Sequence, residues 1–246
     1  MATRLVSIGI DTPDPDRLGR WWADALRWER RGPDEFGDVE VSPPAAEPPT
    51  PALLFLPVTD AKQGKNRVHL DLASRTDAEQ AAIVDRLLGL GAARVDIGQD
   101  TTPWVVLADP EGNELCVLEP RPETAGAGSI AAIVLDAGDP ERIAPFWAAA
   151  TGRSDMRRQH GVVSLHAPEP GAPPLDLVPV PDPKRVKLRW HLDVVTLGAT
   201  TVEEEAERLR AAGGYDVDIG QHADPLVDWI VLADPEGNEL CVVPPG

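Results

Sequence analysis

The segment Trp104-Val-Val-Leu-Ala-Asp-Pro-Glu-Gly-Asn-Glu-Leu-Cys-Val-Leu-Glu-Pro120 recurs as Trp229-Ile-Val-Leu-Ala-Asp-Pro-Glu-Gly-Asn-Glu-Leu-Cys-Val-Val-Pro-Pro245. The two copies are identical at 14 of 17 positions and lie 125 residues apart. This period is far longer than the roughly 20 to 50 residues of solenoid repeats. It indicates two whole domains in tandem, so that each half of the chain serves as an internal control on the other.

Length and composition agree with two soluble domains. The 246 residues suffice for two domains of roughly 120 residues each. Hydrophobic residues make up 42% and charged residues 26%, and no apolar run approaches the roughly 20 residues that span a bilayer. The first residues lack the pattern of a secretion signal. We therefore expect a cytoplasmic protein with no membrane partner.

Charge and cysteine content narrow the classes of partner. A net charge of −18 argues against nucleic-acid binding, which needs clustered Lys and Arg. The same charge favours a cationic ligand if it extends into a pocket; the alternative is that it only keeps the protein soluble. The two cysteines, Cys116 and Cys241, occupy the same position in the two repeats. Such duplicated thiols favour a reduced compartment over a disulfide framework.

The pattern of each half predicts two βαβββ units. The first half begins with an apolar strand at 5–10, and Asp14-Pro15 then starts an amphipathic helix, with Asp14 as the N-cap. The second half repeats this device at Asp139-Pro140. Three β segments of the first unit are predicted at 28–33, 37–42 and 52–58.

Capping residues and turn residues define the second unit of each half. Thr76 and Thr201 begin a helix, each with a glutamate three residues later. Strands are then predicted to end in Val-Asp-Ile-Gly-Gln, at 95–99 and 217–221, before a hairpin whose turn is Asp-Pro-Glu-Gly-Asn. The Pro- and Gly-rich segment 121–128 is the predicted linker, which divides the chain into domains 1–120 and 129–246.

These features together resemble the vicinal oxygen chelate superfamily, which includes glyoxalase I, extradiol dioxygenases and bleomycin resistance proteins. The resemblance rests on the paired βαβββ units, the Asp-Pro helix starts, the strand in Lys65-Asn-Arg-Val-His-Leu-Asp-Leu72 and the Asp-Pro-Glu-Gly-Asn hairpin. It covers nearly the whole chain twice. It implies an α+β fold of two tandem domains, each made of two βαβββ units that form a cupped mixed sheet with the ligand or metal inside.

The resemblance also implies where a metal would be bound. In metal-dependent relatives, the first and last strands of each unit direct His, Gln or Glu into the cup. In this chain Ser7 and Ala132 occupy the first-strand ligand position, and Cys116 lies where relatives carry glutamate. Strand alternation places His69 and Asp71 in the cup, since Val68, Leu70 and Leu72 should face the helix.

The two domains offer different sets of donor side chains for a metal. His69 and Cys116 alone fall short of the three protein ligands that a catalytic zinc needs. In the second domain His191, Asp176 and Cys241 form a candidate set for a divalent metal. We predict no cofactor, with a divalent metal as the alternative.

The same side chains allow other chemistry. A Cys-His pair can form a reactive thiolate, and a His beside an Asp can act as a general acid and base. Inert cysteines packed among aliphatic residues and hydrogen-bonded histidines are the competing interpretation. The catalytic candidates are His69, Asp71, Cys116, His191, Asp193 and Cys241.

Tryptophans provide further candidates for ligand contact, because indole faces suit planar or cationic ligands. The helix-borne Trp21, Trp22 and Trp147, and also Trp190, have core spacing. Trp104 and Trp229 begin the hairpin strands and are predicted at the cup rims. The predicted ligand-binding residues are Ser7, His69, Trp104, Cys116, His191, Trp229 and Cys241.

Three functional hypotheses follow. The first is a glyoxalase/bleomycin-resistance-like protein without the family metal site that sequesters an aromatic or cationic metabolite or drug. The second is a metal-dependent lyase, isomerase or dioxygenase with a divalent metal near His191. In the third, one domain is a structural partner that completes the cup of the other. A monomer and a homodimer both fit the duplicated sequence.

Overall fold

Four βαβββ units form the fold in the computed structural model, which describes residues 3–99, 101–220 and 228–245. Unit 1 contains β1 (Thr3–Thr12), α1 (Pro15–Leu26), β2 (Glu29–Arg31), β3 (Val39–Ser42) and β4 (Ala52–Pro57). Unit 2 contains β5 (Val68–Leu72), α2 (Asp77–Gly89), β6 (Ala93–Arg94), β7 (Val105–Ala108) and β8 (Glu114–Val117). Unit 3 contains β9 (Ile130–Ala137), α3 (Pro140–Thr151), β10 (Asp155–Gln159), β11 (Val162–His166) and β12 (Leu175–Pro179). Unit 4 contains β13 (Trp190–Thr196), α4 (Val202–Ala211), β14 (Tyr215–Asp216), β15 (Ile230–Ala233) and β16 (Glu239–Val243).

The predicted helix starts are confirmed by their caps. The side chain of Asp14 accepts from the backbone N–H of Arg17 at 3.1 Å, and Asp139 does the same for Arg142 at 3.2 Å. Thr201 and Glu204 form a reciprocal capping box. These caps satisfy amide groups that the first helical turn leaves without partners.

The strands predicted to end in 95–99 and 217–221 end earlier than expected. The strands at these places are the two-residue β6 and β14, which end before Val95 and Val217. Gly98 and Gly220 adopt positive φ angles of 80° and 88°, and each donates its N–H to the aspartate two residues earlier. Such Asx turns compete with strand pairing. Residue 221 lies outside the described residues.

Each sheet takes one unit from each half of the chain. Sheet A has the order β14-β15-β16-β13-β1-β4-β3-β2 and joins units 1 and 4; sheet B has the order β10-β11-β12-β9-β5-β8-β7-β6 and joins units 2 and 3. The central pairs are antiparallel, β1 with β13 and β5 with β9. The α+β class with paired βαβββ units is thus confirmed. The expectation that the two units of one half share a sheet is wrong, because β1 pairs with β13 and β5 with β9, so that each half completes the sheets of the other.

The apolar faces of the sheets and the helices share one core. Its largest fully buried side chains include Trp22, Trp147 and Trp190. The rings of Trp22 and Trp190 meet edge to face with centroids 5.4 Å apart. The core roles predicted for these tryptophans are confirmed. None of the helices in the described residues is long and apolar enough to cross a membrane.

The Asp-Pro-Glu-Gly-Asn turns fasten the two sheets together. Glu111, in the β7–β8 turn of sheet B, accepts from the hydroxyl of Thr12 at 2.7 Å and pairs with Arg189 at 2.8 Å, both beside sheet A. Glu236, in the β15–β16 turn of sheet A, accepts from the backbone N–H groups of Gly138 and Asp139, which follow β9. The repeated turn is therefore a reciprocal connection between the sheets as well as a hairpin.

The aspartate of each turn holds a tryptophan from a helix on the other sheet. Trp22 of α1 donates its indole N–H to Asp109 at 3.1 Å, and Trp147 of α3 donates to Asp234 at 2.8 Å. The Asp109 carboxylate also accepts from the side chain of Asn113. All of these groups are buried, so each carboxylate satisfies several donors that would otherwise lack partners.

Replacing Asp109 with Ala should lower the free energy of unfolding by about 3 kcal/mol, because it leaves the buried indole and amide donors unpaired. Asp234→Ala should cost a similar amount, since Trp147 and Asn238 take the same places. Asp24→Ala, at an exposed site on α1, is the control and should change stability by less than about 0.5 kcal/mol. Urea unfolding measures all three; an unchanged Asp109→Ala variant would show that these bonds do not stabilise the fold.

The first half alone should not form a folded monomer. In a 1–120 fragment, β1 loses β13 and β5 loses β9, which exposes the central edges of both sheets. Co-expression with 129–246 should restore a one-to-one complex, measured by light scattering and circular dichroism. A stable, folded 1–120 monomer would contradict the pairing between halves.

Candidate functional site

Strand alternation directs a polar set away from the core in both sheets. On β5, Val68, Leu70 and Leu72 are buried in the core, whereas His69 and Asp71 line a cavity on the opposite face. This face of sheet B is called cup B, and the matching face of sheet A is called cup A. The predicted facing of these residues holds because side chains alternate along a strand.

Cup B brings His69, Asp71 and Cys116 together. Asp71 and Cys116 lie directly opposite each other on the parallel strands β5 and β8. The Nε2 atom of His69 is 3.7 Å from Oδ1 of Asp71, and one ligand atom from each of the three residues lies within 4.8 Å of the others. The sequence predicted only His69 and Cys116 as donors in this half, and the structure adds Asp71.

Burial sets the charge of the groups in cup B. Burial, with the nearby positive charge of Lys65, lowers the pKa of His69 to about 3, so the imidazole is neutral at pH 7. Burial raises the pKa of Asp71 to about 7, although a hydrogen bond with Cys116 acts in the opposite direction. Burial likewise raises the pKa of Cys116 far above its usual range. Burial thus disfavours the thiolate form of Cys116, which is the form that acts as a nucleophile.

Cup A repeats the triad with His191, Asp193 and Cys241. Their ligand atoms also lie within 4.8 Å of one another, and Nε2 of His191 is 3.3 Å from Oδ1 of Asp193. All three residues are buried. Burial alone would lower the pKa of His191, but the negative charges available on Cys241 and Asp193 raise it well above its usual value. The neighbouring Cys241 and Asp193 thus favour the protonated form of the His191 imidazole.

The residues that face the two triads from the neighbouring strands differ at two positions. Ser7 lies opposite Asp193 and donates its hydroxyl to Oδ2 of Asp193 at 2.8 Å, whereas Asp71 lies opposite Ala132, which has no donor. A second difference concerns the two histidines. His191 lies opposite Gly9, and a Cβ at Gly9 would be 2.4 Å from its Nε2; His69 lies opposite Val134 instead.

A cavity of about 1020 Å³ opens onto cup B. His69, Asp71, Cys116 and Asp176 lie on its polar side, and Trp104 and Arg121 contribute a further wall. The Arg121 guanidinium stacks over the Trp104 ring at 5.6 Å from the centroid. Three buried polar atoms of this group have no hydrogen-bond partner, namely Nδ1 of His69, Oδ1 of Asp71 and Oδ1 of Asp176. Unpartnered polar groups in a roomy cavity are typical of sites for ligands or ions.

All four lysines of the chain, Lys62, Lys65, Lys184 and Lys187, line the same cavity. Each forms an ion pair with a carboxylate, and the pairs follow the repeat: Lys62 with Glu114 at 3.0 Å matches Lys184 with Glu239 at 2.6 Å. The sequence analysis did not predict these four paired lysines. The sequence pattern that could have revealed them is Lys-x-x-Lys-x-Arg-x-His, which occurs at 62–69 and again at 184–191.

The candidate metal set of His191, Asp176 and Cys241 is wrong in one member. Asp176 lies on β12 of sheet B, whereas β13 and β16 belong to sheet A. Asp176 instead lines the cavity beside the cup B triad. The sequence placed it with His191 because both belong to the second half, and the pairing of the units separates them.

The predicted ligand-binding residues divide between the two cups. His69, Trp104 and Cys116 line the cavity. Ser7, His191 and Cys241 lie in cup A, where the Ser7 hydroxyl donates a hydrogen bond to Asp193. Trp229 directly precedes β15, at intermediate burial, and is not among the residues that line the cavity.

Comparison with known proteins identifies the fold. The model of a family described as "Glyoxalase-like domain" matches residues 7–118 and 132–243. No curated protein sequence matches the chain.

Solved structures with the same fold cover almost the entire chain. Glyoxalase I from Zea mays has 16% sequence identity and a TM-score of 0.64, with 99% of this chain and 92% of that chain covered. A putative dioxygenase from Bacillus subtilis has 14% identity and a TM-score of 0.63, covering 100% of this chain and 86% of that one. At these identities the likeness establishes the fold alone.

Gly9→Ala should destabilise the protein by about 1 to 3 kcal/mol, because the added methyl group overlaps the His191 ring. Gly89→Ala is the matched control, since no atom lies within 4 Å of a Cβ at that helical position; it should be neutral or stabilising by up to about 1 kcal/mol. Urea unfolding measures both. If the two variants have equal stability, His191 is not held against Gly9.

Proposed function

This chain belongs to the glyoxalase-like domain family, and from that premise we propose that it binds a small organic molecule in the cavity of cup B. The observation that carries the proposal is the combination, in one cavity of about 1020 Å³, of an aromatic wall with three unpartnered buried polar atoms. Cavities of this size that present an apolar surface and a few convergent polar groups are the usual form of small-molecule sites.

The unpartnered atoms define what the ligand offers. A buried polar atom without a partner costs roughly 1 to 3 kcal/mol, and a ligand that hydrogen-bonds to it recovers that cost. Oδ1 of Asp71 and Oδ1 of Asp176 are carboxyl oxygens, which bind N–H and O–H donors. A ligand with an amine, amidine or phenol group directed at these carboxyls fits the polar side of the cavity.

The wall formed by Trp104 favours a planar ligand. An indole face contributes stacking and cation–π attraction of about 0.5 to 1.5 kcal/mol beyond burial. Arg121 stacks over this ring and pairs with Glu119 at 2.7 Å, which holds the wall in place. An aromatic or cationic metabolite or drug, sequestered in the cytoplasm, is the most concrete form of the proposal.

The family's oxygen- and imidazole-rich metal site is not part of this proposal. Ser7 and Ala132 lie at the first-strand ligand positions, and neither side chain carries an imidazole or a carboxylate. Cys116 and Cys241 replace the carboxylate that relatives place on the last strand. A two-histidine, one-carboxylate set, which suits the iron of many oxygenases, is formed by neither triad.

Metal-dependent lyase or isomerase chemistry is a second candidate, favoured by the compactness of the triads. Each triad offers one imidazole, one carboxylate and one thiol within 4.8 Å, and three protein ligands are what a catalytic zinc requires. Bound there, zinc would polarise a ligand carbonyl. The chain's own contribution would be to hold that ligand between Trp104 and Asp176.

Trp104→Ala should weaken ligand binding in a thermal-shift screen of small aromatic and cationic compounds by roughly 2- to 13-fold, the equivalent of about 0.5 to 1.5 kcal/mol. A ligand at about 100 times its wild-type dissociation constant adds roughly 2.7 kcal/mol to stability, and this shift should become clearly smaller when the aromatic wall is removed. Trp229→Ala changes the duplicated tryptophan outside the cavity lining and should keep the shift. An equal decrease of the thermal shift in both variants, or an undiminished shift in Trp104→Ala, would contradict the assignment of the binding site to cup B.

A further inference from the structure

We infer that Arg121 determines which ligand cup B takes, and that this ligand is a planar organic molecule whose carboxylate or similar anionic group binds to Arg121. The inference rests on the proposed function, since it names the class of molecule that the cavity holds. Its basis is a pair of residues, Glu119 and Arg121, that only the first half of the chain contributes. The matching positions of the second half are Pro244 and Gly246.

The backbone of Arg121 is fixed by the turn that follows it. Pro122 restricts the residue before it to extended conformations, and Arg121 has a φ of −129° and a ψ of 139°. Its carbonyl oxygen accepts from the backbone N–H of Thr124 at 3.2 Å and from the hydroxyl of the same residue at 3.1 Å. The side chain therefore starts from a fixed point and forms part of the cavity wall, although the sequence places this residue in the predicted linker.

The guanidinium of Arg121 is held along one edge and available along the other. Nε and Nη2 donate to the two carboxylate oxygens of Glu119 at 2.7 and 3.2 Å, and the group stacks over the Trp104 ring. The indole N–H of Trp104 donates to Oε1 of Gln99 at 3.0 Å, which fixes the ring. Within the described part of the chain, no residue accepts from Nη1 of Arg121. Its N–H donors are therefore available to a ligand.

The position of Arg121 disfavours a cationic ligand at this wall. An indole face attracts a cation through its negative quadrupole, and here the guanidinium of Arg121 takes that place, 5.6 Å from the centroid of Trp104. A second cation against this ring would lie beside a like charge. An anionic group has the opposite preference, because a guanidinium binds a carboxylate through charge-assisted hydrogen bonds. The wall thus favours a flat ring that carries a negative charge.

The charges that line the cavity differ from those of the chain as a whole. The chain has a net charge of −18, but four lysines and four arginines line the cavity against six aspartates. The lysines are paired with carboxylates, and two of these, Glu114 and Glu239, are not among the lining residues. A molecule in the cavity therefore meets more basic than acidic side chains, which attracts an anion.

Asp71 and Asp176 determine which end of the ligand lies at Arg121. Both carboxyl groups line the cavity, and each has a buried oxygen without a hydrogen-bond partner. A carboxylate repels an anion and accepts from an N–H or O–H donor. The donor end of the ligand therefore faces these two carboxyls, its anionic end faces Arg121, and its ring packs against Trp104.

Three compounds with one ring system test the charge preference. Indole-3-propionate, tryptamine and indole-3-propionamide are an anion, a cation and a neutral molecule that share the indole ring and its N–H donor. Titration calorimetry of the full chain should show that indole-3-propionate binds at least about 10-fold more tightly than either of the others, as expected for a hydrogen bond between charged groups.

Variants at Arg121 separate charge selection from packing. Arg121→Gln should remove the preference for indole-3-propionate over the amide, and Arg121→Glu should reverse the preference between indole-3-propionate and tryptamine. A loss of packing alone would weaken the binding of all three compounds together. Arg157→Gln is the matched control and should keep the wild-type preference, because Arg157 pairs with Asp155, also two residues away, through the same Nε and Nη2 atoms but outside the cavity lining. Circular dichroism verifies that each variant is folded.

Two results would overturn the inference: tryptamine or the amide binding to the wild-type chain as tightly as indole-3-propionate, or a preference that survives Arg121→Gln. The proposed function stands in both cases if Trp104→Ala still weakens binding. If none of the three compounds binds, the proposed function fails and the inference fails with it.

Discussion

The bonds from the two Asp-Pro-Glu-Gly-Asn turns to the opposite sheet are the constraint on which the rest of the molecule depends. In each turn, the aspartate accepts from a buried indole and the glutamate binds at the start or end of a central strand of the other sheet. Arg189 and Glu111 form a buried ion pair in which each side chain is about one-tenth exposed. Removing one partner of such a pair lowers the free energy of unfolding by several kcal/mol. Two such contacts, related by the repeat, fix sheet A against sheet B.

This connection also shapes the cavity. Arg67, just before β5, bonds to the side chain of Asn238 in the turn of sheet A, and Arg189, just before β13, bonds to Glu111 in the turn of sheet B. Each arginine belongs to a Lys-x-x-Lys-x-Arg-x-His segment that lines the cavity. The segments that hold the sheets together thus lead directly into His69 and His191. Each of these two segments therefore belongs both to the cavity lining and to the junction between the sheets.

Duplication has left two cups with the same triad and different surroundings. The neighbouring strands differ, since Ser7 and Gly9 on β1 correspond to Ala132 and Val134 on β9. The Ser7 hydroxyl hydrogen-bonds to Asp193 in cup A, whereas Ala132 offers no such donor to Asp71 in cup B. Buried polar atoms without a hydrogen-bond partner occur in both triads, at Oδ1 of Asp193 in cup A and at Nδ1 of His69 and Oδ1 of Asp71 in cup B, and those of cup B lie beside the cavity. Such unpaired buried atoms are costly unless a partner satisfies them.

Local sequence patterns are sufficient to predict the units, their helix starts and the facing of the strand residues. Asp14, Asp139 and Thr201 cap helices through local bonds, and the alternation of Val68 with His69 is a property of any strand. Which units share a sheet follows from the folded structure alone, and with it that Asp176 lies with Cys116 and not with His191. The folded structure also decides that Gly9 faces His191. Register between strands far apart in the chain depends on packing of the whole core and on the bonds between sheets, and no local pattern of residues encodes it.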